Sequence, residues 1–191
     1  MLGVCNVNIP SDVDDGEVVL RTIFHPANFK SNKKTLASNF MTPPACPDED
    51  DPSIMSNKLS VTKYVYAGLN FCKAHGRLHS NPDCRRSYYG FAMFVVEGIR
   101  KFMVDENNPS HADVVSSPTE DNPAHANVVL PFNIKFEKGK PKPSEFSSYC
   151  KKLADSAKIL REEDEEGGIL SDRELLDYPL KGCCILKDKS E

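Results

Sequence analysis

Four side chains of the types that bind zinc lie close together in the sequence, namely Cys72, His75, His79 and Cys84. Zinc prefers four nitrogen or sulfur ligands at the corners of a tetrahedron, and two histidines four residues apart on a helix can present two of them. The spacing Cys-x2-His-x3-His-x4-Cys therefore predicts a zinc site. The alternative is that Cys72 is a small core residue and that the two histidines are solvated.

A second set of residues combines a strand arginine with hydroxyl, imidazole and acidic groups: Arg21, His25, Ser60 and Glu97. Arg21 shares a predicted strand face with apolar neighbours, and a guanidinium on such a face must find an anionic or carbonyl partner. That partner is either a carboxylate, such as Glu97, or the phosphate of a ligand. These four residues are candidates for a catalytic site if they converge in a cleft. The simpler interpretation is a structural ion pair at the end of a strand, in which case truncating Arg21 would chiefly reduce stability.

The clearest pattern in the chain is a tandem repeat with a period of 14 residues, which pairs 108–115 with 122–129. Each copy has an Asn-Pro turn, then a histidine (His111 or His125), and then two valines. The repeat predicts two short strands that are neighbours across the segment 116–121. Because histidine titrates near neutral pH, the two rings could supply acid and base groups around a ligand, and His125 is the stronger candidate. Duplicated turn chemistry without any catalytic role explains the same pattern.

The order of Arg21, Ser60, Thr62 and Glu97 along the chain resembles the Arg, Ser-x-Thr and Glu strands of ADP-ribosyltransferase-like folds. In that family the arginine grips the phosphates of NAD and the glutamate orients the ribose. The resemblance therefore implies a nucleotide-handling enzyme as one alternative. Glu97 is not part of the paired Glu-x-Glu motif that the family uses.

A second resemblance covers roughly 20–129. It rests on the motifs Leu-Arg-x-x-x-His-Pro, Leu-Ser-Val, Phe-Cys-Lys-x-His and Asn-Pro-Ala-His-Ala. In these motifs the chain resembles a group of small bacterial proteins, and the motifs themselves indicate no activity. The resemblance implies a bacterial cytosolic protein with a place in a multi-gene system, of which anti-phage defence is one example.

The charge balance argues against a general binder of nucleic-acid backbones, which needs a broad basic face. The chain has 24 Lys and Arg residues against 28 Asp and Glu residues, so its net charge is −4 and its pI is near 5.8. A nucleic-acid-binding or nuclease subunit stays an alternative if five basic residues form one patch: Lys33, Lys34, Arg77, Arg85 and Arg86. The sequence carries none of the common hydrolase, kinase or dehydrogenase motifs.

Cysteine usage and hydropathy favour the cytoplasm. The 7 cysteines are an odd number without regular spacing, which argues against a secreted disulfide framework. We find no apolar run of about 18 residues and no signal-peptide pattern at the start of the sequence. The expectation is a cytoplasmic protein that does not enter a membrane.

Hydrophobic periodicity and turn signals then place the elements that must position these residues. The predicted strands are 17–24, 59–66, 88–96, 113–115, 127–129 and 132–137, with 182–186 as either an edge strand or a tail. Helices are predicted at 67–79, at 144–160 with Ser144 as the N-cap, and over short stretches near 97–101 and 171–174. Residues 27–58 are polar and rich in proline, and they predict a long mobile loop that includes the acidic run 48–51.

Together these elements predict an α+β fold with a mixed, mainly antiparallel sheet of about five to seven strands, packed by one long helix and one or two short ones. We expect a single domain at 1–161, followed at 162–191 by an acidic linker, a short helix and a tail. The favoured function is a binding or accessory subunit of a bacterial cytosolic multi-protein system, with a protein as its main partner. Whether the chain is an enzyme stays open at this point.

Overall fold

The computed structural model describes residues 1–28, 37, 40–84, 86–105, 108–137, 142–162, 175 and 178–188. The strands are β1 (Leu2–Cys5), β2 (Val18–Pro26), β3 (Lys58–Lys63), β4 (Arg86–Val95), β5 (Met103–Asp105), β6 (Asn108–His111), β7 (Asp113–Ser116), β8 (His125–Val129), β9 (Lys158–Arg161) and β10 (Cys184–Lys187). The helices are α1 (Tyr64–Ala67), α2 (Leu69–Leu78), α3 (Val96–Arg100) and α4 (Ser144–Asp155), with a 3₁₀ turn at Pro82–Cys84.

Six strands form the main sheet in the order β7-β8-β3-β2-β4-β9. Every neighbouring pair in it is antiparallel. Two ribbons stand beside the sheet, one made of β1 and β10 and the other of β5 and β6. The predicted α+β class, the number of strands in the sheet and the long helix near 144 are therefore confirmed.

The sheet is covered on both faces, and β2 shows how one strand serves both. Val19 and Ile23 belong to the core beneath α4, while Val18 and Leu20 belong to the core beneath α1, α2 and the β1–β10 ribbon. The alternation follows from the two-residue period of a strand. A strand with two buried faces reads as a continuous apolar run, which is why β2 and β4 were the easiest strands to predict.

A gap opens in the sheet between its two middle strands. The ladder between β2 and β3 comprises only the pairs Val19–Lys63 and Leu20–Thr62. Beyond Leu20 the strand β2 continues to Pro26 in register with β4, while β3 continues in register with β8. The two strands therefore separate within the sheet beyond these two pairs, and the space between them forms a cavity.

The tandem repeat does form two neighbouring strands. β7 and β8 are antiparallel partners, with Val115 opposite Asn127. The histidines of the two copies differ in their surroundings, however. His111 is exposed and lies opposite Met103 in the small β5–β6 ribbon, whereas His125 is half-buried and lies opposite Thr62 in the main sheet.

Four sequence-based assignments are corrected by the structure. The strand predicted at 59–66 ends at Lys63, because the chain turns into helix α1 from Tyr64 onward. Residues 132–137 form no strand, because Phe132, Ile134 and Phe136 pack against the core while only one bridge, from Ile54 to Lys135, links the backbone. The long helix ends at Asp155, and Leu160 lies on the separate strand β9. Ser144 is the first helical residue rather than its cap, and the N-cap is Pro143.

The predicted loop 27–58 and the segment 182–186 both take part in the folded core. Within the predicted loop 27–58, Phe40, Met41 and Met55 are buried in the core, and mobility of the loop stays a prediction. The segment 182–186 contributes to strand β10, which pairs with β1. Strand β1 was not predicted, and it precedes the strand predicted at 17–24. The short helix predicted at 171–174 and most of the acidic linker lie outside the described residues. Within the described part of the chain, no helix has the length and apolar character needed to span a membrane.

Candidate functional site

A cavity of about 540 Å³ lies where β2 and β3 separate. Its walls come from these two strands, the end of α2, the start of β8 and the loop 117–124 that joins β7 to β8, here termed the β7–β8 loop. Its lining includes most of the chemically active side chains of the neighbourhood: Arg21, Lys58, Ser60, His75, His79, Arg86, Asp121 and His125. The cavity is therefore the site at which binding or chemistry is best sought.

Arg21 bridges the two separated strands. Its Nη1 donates a hydrogen bond to the carbonyl oxygen of Ser60 at 2.8 Å, and its guanidinium carbon lies 5.3 Å from the centre of the Phe40 ring. The Nε atom of Arg21 is buried and has no hydrogen-bond partner. Buried donors of this kind are rare in folded proteins and call for a physical explanation.

No carboxylate in the described part of the chain forms an ion pair with Arg21. Among the described residues the expected strand-end ion pair is not seen, and Arg21 has the carbonyl of Ser60 as its partner, which the sequence also allowed. Burial, and then the positive charge of nearby Arg86, lowers the pKa of Arg21 to about 10. The guanidinium is still cationic at neutral pH, so Arg21 brings to the cavity a positive charge that pairs with no described carboxylate.

Arg86 provides a second cation at the cavity. It is exposed at the start of β4, and its guanidinium carbon lies 4.5 Å from the centre of the Phe24 ring. Lys58 also lines the cavity, but its Nζ pairs with Asp50 at 2.5 Å and with buried Asp48 at 3.4 Å. Lys58 is therefore neutralised by the acidic run 48–51, and among the described residues that line the cavity Arg21 and Arg86 are the cations without an ion pair.

The opposite wall of the cavity carries a compact cluster of two imidazoles and a carboxylate. His75 Nε2 and His79 Nε2 are 3.2 Å apart, and each lies 3.4 Å from Asp121 Oδ2. Among the described residues these three form a group whose ligand atoms all lie within 4.8 Å of one another. We refer to His75, His79 and Asp121 as the His-His-Asp cluster.

Close packing of α2 against the sheet positions the two histidines. A Cβ atom on Gly76 would lie 2.8 Å from the Tyr88 ring and 3.2 Å from Thr22 Cγ2, so glycine allows the helix to approach. His75 and His79, four residues apart, are then neighbours on the helix surface. The ring of His75 is also stacked on Phe71, with the ring centres 5.7 Å apart.

Asp121 is positioned by hydrogen bonds within and beyond the β7–β8 loop. Its Oδ1 accepts a hydrogen bond from Thr119 Oγ1 at 2.8 Å, which leaves Oδ2 toward the histidines. The next residue, Asn122, is buried, and its Nδ2 donates to Thr62 Oγ1 at 2.8 Å, which ties the loop to β3. Strand β1 supports the loop from outside, because the Gly3 amide donates to the Glu120 carbonyl at 2.9 Å.

The titration of these groups follows from their surroundings. Burial, and then the neighbouring His79, lowers the pKa of His75. Burial alone would raise the pKa of Asp121, but the hydrogen bond from Thr119 and the charge of His75 outweigh it, so that the net shift is downward. At neutral pH the cluster therefore contains an anionic Asp121 carboxylate beside the His75 imidazole, whose lowered pKa favours the neutral ring.

His125 completes the group of imidazoles around the cavity. Its Nδ1 lies 2.5 Å from the carbonyl oxygen of Ser117, which can only accept a hydrogen bond. The neutral ring therefore has its proton on Nδ1 and a lone pair on Nε2. Burial lowers the pKa of His125, which favours this neutral form.

The structure brings together only some of the residues that the sequence singled out. Arg21, Ser60, His75, His79 and His125 all line the cavity. The four other predicted site residues lie elsewhere: Cys72, Cys84, His25 and Glu97.

Both cysteines of the predicted zinc set lie outside the His-His-Asp cluster. Cys72 is buried in the core beneath α2, and burial raises the pKa of its thiol to about 12. Cys84 is exposed in the 3₁₀ turn. The predicted pairing of Cys72 and Cys84 with the histidines is therefore replaced by an aspartate from the β7–β8 loop.

The cleft that the transferase alternative requires is also incomplete. Glu97 lies on α3, where it pairs with Lys101, and it does not line the cavity. The ring of His25 lies beside Tyr89, with the ring centres 5.8 Å apart. Of the proposed basic patch, Arg77 pairs with Glu162, while Lys33, Lys34 and Arg85 lie outside the described residues.

Asp121 and the role of Arg86 were missed from the sequence. Asp121 directly precedes the second copy of the tandem repeat, and Ser60 and Thr62 alternate with the apolar residues Leu59 and Val61, so they share the other face of their strand. The pairing of β8 with β3 connects these two signals, because it sets the β7–β8 loop beside that face. Neither the pairing nor its register follows from local patterns.

No protein-family model matches the chain, and no curated protein and no solved structure matches it significantly.

Proposed function

We propose that this protein binds a small molecule carrying a phosphate group, which Arg21 and Arg86 hold in the cavity between β2 and β3. The observation that carries the proposal is the Arg21 guanidinium, which lines the cavity with a buried Nε atom that lacks a partner. A cation in such a place is destabilising unless an anion accepts its hydrogen bonds. Arginine is suited to this role because its planar fork of donors matches the oxygens of a phosphate.

Charge favours a phosphate over a carboxylate. Two guanidinium groups without a carboxylate partner, Arg21 and Arg86, serve the same cavity. A phosphate monoester carries a charge of about −1.5 to −2 at neutral pH, whereas a carboxylate carries a single negative charge. The monoester therefore balances both arginines.

Size and lining fit a metabolite. The volume of about 540 Å³ lies within the range of about 300 to 1,000 Å³ that small-molecule sites occupy. Apolar surface from Phe24 and Phe40 stands beside the two arginines. A ligand with a phosphate at one end and a flat or apolar group at the other would use both kinds of surface.

Isothermal titration calorimetry on metal-free protein tests the proposal. The probes are AMP, ribose 5-phosphate and NAD, with adenosine and succinate as comparisons that lack phosphate. We expect saturable binding of at least one phosphate probe, with adenosine and succinate bound more weakly. The absence of saturation by all three phosphate probes at millimolar concentration would refute the proposal.

Arg86→Ala is the informative variant, because Arg86 is exposed and its loss leaves the core intact. We expect its affinity for the phosphate probe to fall by about tenfold or more, equivalent to about 1.4 kcal/mol. Arg77→Ala is a matched control, since Arg77 is also exposed and also lies over an aromatic ring, that of Tyr88, but does not line the cavity. Equal losses in the two variants would show that the effect is one of general charge.

Two sequence-based alternatives relate to this proposal. Transfer of ADP-ribose would use Arg21 but also needs Glu97, which lies outside the cavity, so we retain only the binding of NAD as one of the probes. Membership of a bacterial cytosolic multi-protein system is compatible with a ligand-binding subunit and stays a prediction. A native affinity pull-down with mass identification of the captured proteins tests it.

A further inference from the structure

We infer that the His-His-Asp cluster is a binding site for one divalent transition metal ion, with Zn²⁺ as the expected occupant, and that the ion keeps an open coordination position toward the cavity. The ligands are His75 Nε2, His79 Nε2 and Asp121 Oδ2. The inference goes beyond the phosphate-binding proposal and does not depend on it.

The spacing of the three atoms is that of ligands around a tetrahedral ion. Zinc binds nitrogen and carboxylate oxygen at about 2.0 to 2.2 Å, so two ligands of a tetrahedral site lie about 3.3 to 3.5 Å from each other. The separations between the atoms of the cluster are 3.2, 3.4 and 3.4 Å. They form a nearly equilateral triangle, which is one face of such a tetrahedron.

Hydrogen bonding alone accounts poorly for the same triangle. His75 and His79 direct the same kind of atom, Nε2, at each other and at one carboxylate oxygen. A neutral imidazole has one proton, and a bond to Asp121 Oδ2 at 3.4 Å exceeds the usual range for nitrogen and oxygen. A shared cation satisfies all three lone pairs at once.

The ligands are held in place before any ion binds. Thr119 occupies Asp121 Oδ1 and thereby directs Oδ2 to the histidines, which is the outer-shell support that metal-binding carboxylates have. The stacking of Phe71 on His75 fixes one ring, and the close approach at Gly76 fixes the helix. Fixed ligands lose little conformational freedom on binding, which raises affinity.

The donor set indicates the kind of metal and of site. Two imidazoles and one carboxylate suit zinc and other first-row ions rather than Mg²⁺ or Ca²⁺, which prefer oxygen ligands. Sites in which three protein groups hold zinc leave a fourth position for water or substrate, whereas structural sites use four protein ligands. All three residues line the cavity, so a small molecule there could reach the ion.

Titration of metal-free protein with Co²⁺ and then Zn²⁺, without any phosphate compound, tests the inference. Tetrahedral Co²⁺ absorbs strongly in the visible range, and octahedral Co²⁺ absorbs weakly. We expect one Co²⁺ per chain with the strong spectrum, and displacement of it by one equivalent of Zn²⁺. A wild-type protein that binds neither ion stoichiometrically would overturn the inference.

Two substitutions identify the ligands. His79→Ala removes a largely exposed ring, and Asp121→Asn keeps the size of the side chain while it removes the charge. Each should weaken Zn²⁺ binding by about tenfold or more, measured by competition with a chromogenic chelator. Circular dichroism and thermal melting of the metal-free variants check that the fold is retained.

Cys84→Ser and His111→Gln are the controls, because Cys84 was the rival ligand in the sequence and His111 is an exposed histidine outside the cavity. Neither should change the affinity for Zn²⁺. If Cys84→Ser loses as much Zn²⁺ affinity as His79→Ala does, Cys84 is a ligand, and the His-His-Asp assignment is overturned. Because these titrations contain no phosphate and the calorimetry above contains no metal, the two proposals fail separately.

Discussion

Two cationic residues on the neighbouring strands β2 and β3, half-buried Arg21 and buried Lys63, differ in how their charges are satisfied. The amino group of Lys63, a fully buried residue, donates to the Pro10 carbonyl at 2.8 Å and lies 3.1 Å from Ser116 Oγ. The guanidinium of Arg21 has one carbonyl partner, Ser60, and an unpartnered Nε. A residue that is well satisfied serves the fold, while a residue that is poorly satisfied indicates a ligand.

Replacement of each cation by methionine should separate these roles. In Arg21→Met the methionine side chain still packs against Phe40 in the gap between β2 and β3. Water can reach the carbonyl of Ser60, because Ser60 is exposed. We expect the free energy of unfolding to stay within about 1 kcal/mol of wild type or to rise, because a half-buried cation that pairs with no described acid is removed. Lys63→Met should destabilise by about 1 to 3 kcal/mol, because it removes the hydrogen bonds that the buried ammonium group makes with the Pro10 carbonyl and the half-buried Ser116 hydroxyl. Urea denaturation of both variants provides the comparison.

Ligand binding supplies the second half of this test. Arg21→Met should lose about tenfold or more in affinity for the phosphate probe that binds wild type. The contrary result is an Arg21→Met protein that is destabilised by more than about 2 kcal/mol, as ordinary core substitutions are, yet binds the probe normally. Arg21 would then be a structural residue, which is the simpler interpretation of the sequence.

At the scale of elements, helix α2 can hold the proposed metal ligands His75 and His79 close to the sheet because a glycine, Gly76, lies at its contact with the sheet. Leu69, Cys72 and Gly76 repeat at helical spacing and are all buried. Glycine in a helix disfavours folding by up to about 1 kcal/mol relative to alanine. At Gly76 this cost is offset by the close approach of Tyr88 and Thr22.

Alanine substitutions at two helical glycines should therefore have opposite effects. Gly76→Ala inserts a methyl group 2.8 Å from the Tyr88 ring, and overpacking of this kind destabilises by about 1 to 3 kcal/mol. Gly98→Ala, in α3, meets no atom within 4 Å and should stabilise by about 0.5 to 1 kcal/mol. Chemical denaturation measures both. Stabilisation by Gly76→Ala would contradict the close contact, and the Zn²⁺ affinity of this variant should fall because His75 and His79 move with α2.

These elements also show how far local patterns reach. The continuous apolar runs of β2 and β4 and the helix predicted at 67–79 are properties of single segments, and the structure has strands and a helix there. The segment 132–137 alternates as well as any strand, but its neighbours offer one backbone bridge instead of a ladder. Alternation reports which side chains face the core, and it does not report whether a partner strand is present.

In the candidate site, too, local sequence patterns identify some residues and long-range strand pairing brings in the others. His75 and His79 are four residues apart, so the sequence could pair them, and it supplied Cys72 and Cys84 as further ligands because they were near in the chain. Asp121 is distant in the chain and reaches the histidines only through the pairing of β8 with β3. The two histidines of the proposed ligand set were therefore predictable from the sequence. Asp121 was not, because its position beside them depends on long-range strand register.

At the scale of the whole molecule, the two ends of the described chain meet and support the site. Strand β1 pairs with β10, and its Gly3 packs so tightly against the β7–β8 loop that a Cβ would lie 2.5 Å from the Asp121 carbonyl oxygen. The ribbon covers the core beneath α2, to which Cys184 contributes a buried side chain. The position of Asp121 thus depends on contact with the N-terminal strand.

Two free cysteines in this ribbon allow its pairing to be tested. Cys5 lies directly opposite Cys184, and the Sγ atoms of both lie 3.5 Å from the Tyr66 carbonyl oxygen. The adjacent pair, Asn6 with Cys183, is joined by a backbone hydrogen bond, so the cysteine pair falls at the closer, non-hydrogen-bonded position of the ladder. Burial, and then the contact with Cys5, raises the pKa of Cys184, so this thiol should oxidise slowly.

Prolonged treatment with oxidised glutathione should convert these two thiols into one disulfide, with reduction of the glutathione. The new bond closes a loop of about 180 residues, and the chain-entropy model assigns such a loop up to about 5 kcal/mol of added stability. Peptide mapping under non-reducing conditions should identify the Cys5–Cys184 linkage, and urea denaturation should show a higher midpoint for the oxidised protein. Cys183→Ser should still form the bond, and Cys5→Ser should not. A linkage from Cys5 to Cys183 instead would mean that the ribbon is shifted by one residue, which would turn each β10 side chain to the opposite face and remove Cys184 from the core beneath α2.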